Sequence, residues 1–210
     1  MAHRARSAPP LSELADAGRL LVERGLVQAS GGNLSVRAGD AMWITGSGAS
    51  LDKLDAESFV RMGFDGQSDG RGLPSSEWLL HARIYQARPD VGCVLHLHPQ
   101  TSLLLDALGK PIRFLTQDHM IYVGSYGRTP YFANGSTELA DSAAAELANG
   151  HHQVVLMGNH GIAAVGSDVE WALRRALNFE EAALMTYRAL LLGDSTTTFP
   201  PDRLPLLGEH

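Results

Sequence analysis

The chain reads as a single α/β domain whose strands pair in a mixed or antiparallel way. Three observations predict this. First, 210 residues, 44% hydrophobic and 19% charged, suffice for one domain with a substantial core and give no sign of disorder. Second, apolar spacing switches repeatedly between helical and strand periods, with Gly, Pro and Asp marking the boundaries. Third, no repeat and no linker interrupts the chain, so the whole of 1–210 is read as one unit, with a core over about 11–192 and an extended tail from 193.

Pro9-Pro10 introduce a helix from about Ser12 to Arg24, where Leu14, Ala17, Leu21 and Val22 recur at helical spacing and Gly25 ends the run. Asn33 to Arg37 and Ala41 to Thr45 read as strands around the Gly39-Asp40 turn, and Phe59 to Phe64 as a third, closing at Asp65-Gly66. A glycine-rich loop precedes a helix starting near Ser75-Ser76-Glu77 and stopping before Pro89. Val91 to His98 is a buried strand and Thr101 to Leu108 a helix, while 112–132 reads as strand-like pieces separated by Gly124 and Gly127. Ser136 to Asn149 is a helix. Gln153 to Met157 and Ile162 to Val165 form a strand pair around Gly158-Asn159-His160-Gly161. The last helix opens on a Ser167-Asp168-Val169-Glu170 capping box and runs to about Leu192.

Composition removes several function classes. The net charge is −6 and the 17 Lys and Arg residues are scattered, so a nucleic-acid partner is not expected. No apolar run approaches the roughly 18–20 residues that span a bilayer, so no membrane partner is expected either. The basic start, Met1 to Arg6, leads into Ser7-Ala8-Pro9-Pro10 rather than an apolar segment, and Cys93 is the single cysteine; the chain is therefore expected to be cytoplasmic. Only Lys53 and Lys110 are present, which leaves few candidates for Schiff-base chemistry.

His96-Leu97-His98 is the sharpest chemical signal. Residues two apart on a strand project from one face, so both imidazoles converge as two ligands of zinc or a similar divalent ion would; they equally fit a polar strand face. His160, in a glycine-flanked turn between apolar strands, is either a third ligand or a hydrogen-bonded turn residue. His81 reads as a helix-surface residue, His151 and His152 as exposed, and His3 and His210 as terminal. Ser75-Ser76-Glu77 at a helix start suits an anion as well as a plain cap. Gly31-Gly32-Asn33 and Thr45-Gly46-Ser47-Gly48 are small polar turns of the kind that cradle phosphate.

In their order and spacing, Gly-Asn, Thr-Gly, Ser-Ser-Glu, His-x-His and Asn-His-Gly, with Pro130-Tyr131 and Gly135-Ser136-x-Glu138-Leu139, resemble the class II aldolase/adducin family over roughly 11–192. The resemblance implies a central, mostly antiparallel β-sheet flanked by helices, in a homotetramer with active sites between neighbouring subunits. It implies zinc, or another divalent ion such as Mn2+ or Co2+, on His96, His98 and His160, with Glu77 as acid/base and additional ligand. Asn33, Thr45, Gly46, Ser75 and Ser76 would hold the phosphate of a small sugar phosphate. The implied reaction is reversible cleavage of a ketose 1-phosphate, such as L-fuculose 1-phosphate, into dihydroxyacetone phosphate and a short aldehyde.

Similar aldolases place a tyrosine from the neighbouring subunit at the aldehyde oxygen. The corresponding stretch here is Thr116-Gln117-Asp118-His119-Met120-Ile121-Tyr122. His119 is either a replacement proton donor or a packing residue, with Asp118, Tyr122 and Tyr131 as further candidates. The same scaffold supports epimerases, dehydratases and decarboxylases, and adducin heads are non-catalytic modules. A metalloprotease or nuclease would need a helical His-Glu-x-x-His or clustered carboxylates, and neither is present.

Overall fold

The structure is a computed structural model that describes residues 8–28, 30–70, 72–200 and 202–203; Met1 to Ser7, with His3, and residues 204–210, with His210, lie outside them. In chain order the elements are α1 (Leu11–Glu23), β1 (Asn33–Ala38), β2 (Ala41–Thr45), β3 (Phe59–Gly63), α2 (Trp78–Ala87), β4 (Cys93–Leu97), α3 (Gln100–Ala107), α4 (Gln117–Tyr122), β5 (Gly127–Thr129), α5 (Thr137–Leu147), β6 (Val154–Met157), β7 (Gly161–Gly166) and α6 (Val169–Leu191).

The strands form one sheet in the order β3-β2-β1-β4-β7-β6-β5. Every pairing is antiparallel except β5 with β6, which agrees with the mostly antiparallel sheet the resemblance implies. β4 lies in the middle, with Asn33 opposite His96 on one side and Ala163 opposite His96 on the other.

The alternation of side chains divides the core into two layers. Leu34, Val36, Cys93, Leu95 and Leu97 face one cluster, which α1 and α6 cover through Leu14, Leu21, Ala176 and Phe179. Met42, Ile44, Val94, Val155 and Val165 face the other, covered by α2 and α5 through Leu80, Ile84, Leu139 and Leu147. His96 shares the parity of Val94, so its ring lies on the α2 side, and Asn33, Ser35 and Arg37 point the same way from β1.

Two local expectations are corrected. Of the strand-like pieces expected in 112–132, β5 is a strand, but 117–122 form a helical turn, α4. Thr116 accepts from the His119 N–H at 3.2 Å in a capping box that nucleates the turn, and Gly124, at φ 65°, ends it. At α6 the cap is Asp168 instead of Ser167: its carboxylate accepts from Trp171 N at 2.9 Å, a charge-assisted bond that outcompetes the serine hydroxyl. Of the tail, Phe199 N donates to Phe114 O, and the buried Arg113 holds Asp194 and the Thr197 carbonyl. No helix among the described residues is long and apolar enough to cross a membrane.

Candidate active site

The site is assembled where four segments meet at one end of β4. His96 and His98 come from β4 and the residue just beyond it. His160 comes from the β6–β7 turn, which the left-handed Asn159 (φ 55°) makes tight enough to aim the ring back at β4. Glu77 stands immediately before α2 and is 5% exposed. One ligand-type atom from each of Glu77, His96, His98 and His160 lies within 4.8 Å of all the others.

The protonation pattern shows what this cluster is built for. His96 Nδ1 lies 2.9 Å from the Ile162 carbonyl, an acceptor, so Nδ1 carries a hydrogen and Nε2 is the ring atom turned to the cluster. His96 Nε2 lies 3.0 Å from Glu77 Oε2 and 3.1 Å from His98 Nε2. Glu77 Oε1 lies 3.1 Å from His160 Nε2 yet makes no hydrogen bond although buried. Nitrogen and carboxylate atoms packed this closely in a buried space need a cation or protons among them. Three imidazoles and one carboxylate suit a zinc-like divalent ion, with the Nδ1 bond of His96 supplying the outer support that orients a ligand.

Titration runs the same way. Burial, reinforced by His96 and His160, pushes His98 down to about 4, so it offers a free lone pair at neutral pH. Burial pushes Glu77 up, but the adjoining His160 and His96 rings outweigh it and hold the carboxyl below its ordinary range. Glu77 is therefore an ionised base at rest.

Beside the cluster lies a cavity of about 150 Å3 lined by Ser30 to Asn33, Gly46 to Ala49, Ser75 to Glu77, His98 and Asn134. Its walls are hydroxyls, amides and glycine backbone, the chemistry of a phosphate cradle without a basic patch. Gly32, at φ 75°, allows the approach: a Cβ there would meet the His96 carbonyl at 2.7 Å.

Of the residues expected at the site, the structure brings Asn33, Gly46, Ser75, Ser76, Glu77, His96, His98 and His160 together. Thr45, His119 and Tyr131 do not line the cavity. The Thr45 hydroxyl accepts from Leu34 N at 3.2 Å, turned into the strand pair. His119 is fully buried; its Nδ1 accepts from Leu115 N at 3.2 Å and its Nε2 faces Glu181 at 3.4 Å. Tyr131 is 63% exposed.

His81 corrects the sequence reading outright. It is fully buried, with Nε2 2.6 Å from Asn33 Oδ1 and Nδ1 2.7 Å from Ser35 Oγ. The signal was present in the spacing Glu77, His81, Tyr85, one helical face at i, i+4, i+8, but only the parity of β1 shows what that face meets.

The chain matches the family described as Class II Aldolase and Adducin N-terminal domain over residues 12–187. The protein belongs to the class II aldolase/adducin family. An L-fuculose phosphate aldolase of Methanocaldococcus jannaschii is 34% identical over 174 residues, 83% of this chain and 93% of the relative. A 5-methylthioribulose-1-phosphate/5-deoxyribulose-1-phosphate aldolase of Rhodospirillum rubrum is 35% identical over 182 residues, 86% of this chain and 81% of the relative. A solved L-fuculose 1-phosphate aldolase superposes with a TM-score of 0.83 at 29% identity, covering 98% of this chain and 97% of that one. Membership in this family supports an aldolase-type lyase with a divalent metal site and a phosphorylated sugar as substrate.

Proposed function

We propose that the protein is a zinc-dependent aldolase that reversibly cleaves a ketose 1-phosphate into dihydroxyacetone phosphate and a short aldehyde. The observation that carries this reading is the Glu77, His96, His98 and His160 cluster opening onto a hydroxyl- and amide-lined cavity. Asn33, Gly46, Ser75 and Ser76 hold the phosphate; Thr45 supports them from the strand pair. When bound by the three histidines, the metal supplies Lewis-acid stabilisation of negative charge developing on the substrate oxygens.

Glu77 moves the proton. In the synthetic direction its carboxylate removes a hydroxymethyl hydrogen from dihydroxyacetone phosphate; in cleavage, the C3–C4 pair stays on C3 and Glu77 returns that proton. The proton at the aldehyde oxygen is exchanged with a group from the neighbouring subunit of a homotetramer. Within one subunit no side chain from 114–131 lines the cavity, which supports a donor in trans. Tyr131, whose ring stands in solvent, is better placed for that than the enclosed His119.

Three aldehydes are favoured by the relatives. Lactaldehyde corresponds to L-fuculose 1-phosphate; acetaldehyde or its methylthio derivative corresponds to the R. rubrum substrates, at comparable identity. Zinc-loaded protein is incubated with L-fuculose, ribulose, 5-deoxyribulose and 5-methylthioribulose 1-phosphates, and released dihydroxyacetone phosphate is measured with an NADH-linked reductase. The expected result is triose from at least one of them. Absence of triose from all four, with a 4-epimer or a dehydrated product instead, would overturn the aldolase reading; no stoichiometric metal uptake would favour a non-catalytic module.

A further inference from the structure

We propose that His81 is a positioning residue that, through the Asn33 amide, fixes Glu77 for proton transfer by occupying Oε2 and leaving Oε1 without a hydrogen bond. This rests on the aldolase reading above. The observation behind it is one unbroken chain of buried groups: Tyr85 OH to Ser35 Oγ, 2.8 Å; Ser35 Oγ to His81 Nδ1, 2.7 Å; His81 Nε2 to Asn33 Oδ1, 2.6 Å; Asn33 Nδ2 to Glu77 Oε2, 3.0 Å.

The Asn33 amide dictates the directions. Its Nδ2 donates to Glu77 Oε2 at 3.0 Å and its Oδ1 faces His81 Nε2 at 2.6 Å; an NH2 only donates and a carbonyl only accepts. Asn33 Oδ1 is then the acceptor that faces His81, so His81 carries its hydrogen on Nε2. Nδ1 is left as an acceptor, which Ser35 O–H fills, and Tyr85 O–H donates to Ser35 in turn. No link in this chain is reversible without leaving two acceptors in contact.

Geometry explains why a helix can serve a strand so regularly. Four helical residues rise about 6 Å, and two strand residues advance about 6.7 Å. Glu77 at the N-cap of α2, with His81 and Tyr85 on it, thus keeps step with Asn33, Ser35 and Arg37 on β1. Arg37 extends the ladder by donating to the Tyr85 and Arg88 carbonyls, locking the far end of α2 to the strand. Burial pushes His81 down to about 3, so the ring stays neutral and the directional chain persists through the neutral range.

The consequence at Glu77 is asymmetric. Oε2 accepts from Asn33, whereas Oε1 makes no hydrogen bond and faces only the His160 ring, at 3.1 Å; Oε1 is the oxygen assigned to take the substrate proton. One amide hydrogen of Asn33 remains for the phosphate. Loss of the His81 donor would free Asn33 to rotate and Glu77 to swing, a displacement near 1 Å of the kind that costs about 100-fold in rate.

The test separates positioning from mere packing. Exchange of the hydroxymethyl hydrogen of dihydroxyacetone phosphate in D2O is followed by NMR for zinc-loaded wild type, His81→Gln, His81→Asn and His81→Leu. A Gln amide nitrogen replaces Nε2 and reaches Asn33; an Asn amide reaches only Ser35. The expected result is His81→Gln within about fivefold of wild type, and His81→Asn and His81→Leu down about 100-fold in kcat with KM within about threefold. If His81→Leu fails to fold, the two amide variants decide the matter: equal rates for Gln and Asn overturn the proposal. In metal-free wild type, the 15N spectrum should show His81 neutral with hydrogen on Nε2; hydrogen on Nδ1 also overturns it. Wild type that exchanges no hydrogen while keeping the Nε2–H tautomer would overturn the aldolase reading, and the catalytic role of His81 with it.

Discussion

Gly161→Ala offers a direct measure of how tightly the histidine cluster is built. Gly161 opens β7 without needing a left-handed φ; what it needs is space. An alanine Cβ would stand 2.6 Å from the Leu97 carbonyl, 2.8 Å from His96 Cε1 and 2.8 Å from His98 Cδ2. Ordinary contact begins near 3.5 Å, so two of the three imidazoles would have to retreat by roughly 0.7 Å. Metal sites tolerate ligand displacements of only about 0.2 Å. Backbone movement cannot absorb the strain cheaply, because Leu97 is registered opposite Ile162 in the central β4–β7 pair. Zinc affinity, measured by competition with a chromogenic chelator, should fall about 10- to 100-fold. Overpacking should destabilise the metal-free fold by about 1–3 kcal/mol, read by urea denaturation. A variant that binds zinc within about twofold of the parent would show that the ring positions do not set affinity.

Three further outcomes are expected. Glu77→Gln should reduce hydrogen exchange from dihydroxyacetone phosphate by about 10²- to 10⁴-fold while the protein still binds zinc through its histidines; retained exchange would assign the base elsewhere. Metal-free protein should lose stability on going from pH 7 to pH 5. His81 and His98, held near 3 and 4 in the fold, regain their ordinary value near 6.5 when unfolded. The unfolded chain therefore takes up protons first, and His81 alone contributes a loss of about 2 kcal/mol at pH 5. Denaturation curves at the two pH values should show this decline shrinking in His81→Gln, and an identical decline in both proteins would refute the assignment. Arg113→Ala should release the tail from its bonds to Asp194 and Thr197, costing about 1.5–3 kcal/mol; unchanged hydrogen exchange over 194–199 would refute the clamp.

Most of the architecture was legible because β1, β2, β4, β6 and β7 each carry a clean period-2 or fully apolar run between turn residues. The metal-type cluster was legible for the same reason: parity alone puts His96 and His98 on one face. What spacing could not supply was tertiary. The Glu77, His81, Tyr85 spacing marks one helical face, but the adjoining Leu80 and Ile84 stripe leaves open which face is buried. Residues 117–122 were misread because a Thr116–His119 capping box, a local side-chain bond, outweighed the β-branched and aromatic residues around it. Thr45 shows the reverse limit: a hydroxyl in a glycine turn looks like a ligand group, yet an unpaired Leu34 N–H next door claims it.

Two of the donors, His96 and His98, lie on or directly after the innermost strand of seven, flanked on both sides by antiparallel partners. Freeing them by unwinding would mean parting the sheet at its centre, so only side-chain rotation is available for loading and unloading. Folding therefore precedes occupancy: stripping the ion with a chelator should leave secondary structure unaltered, in contrast to zinc fingers, whose fold disappears with their ion.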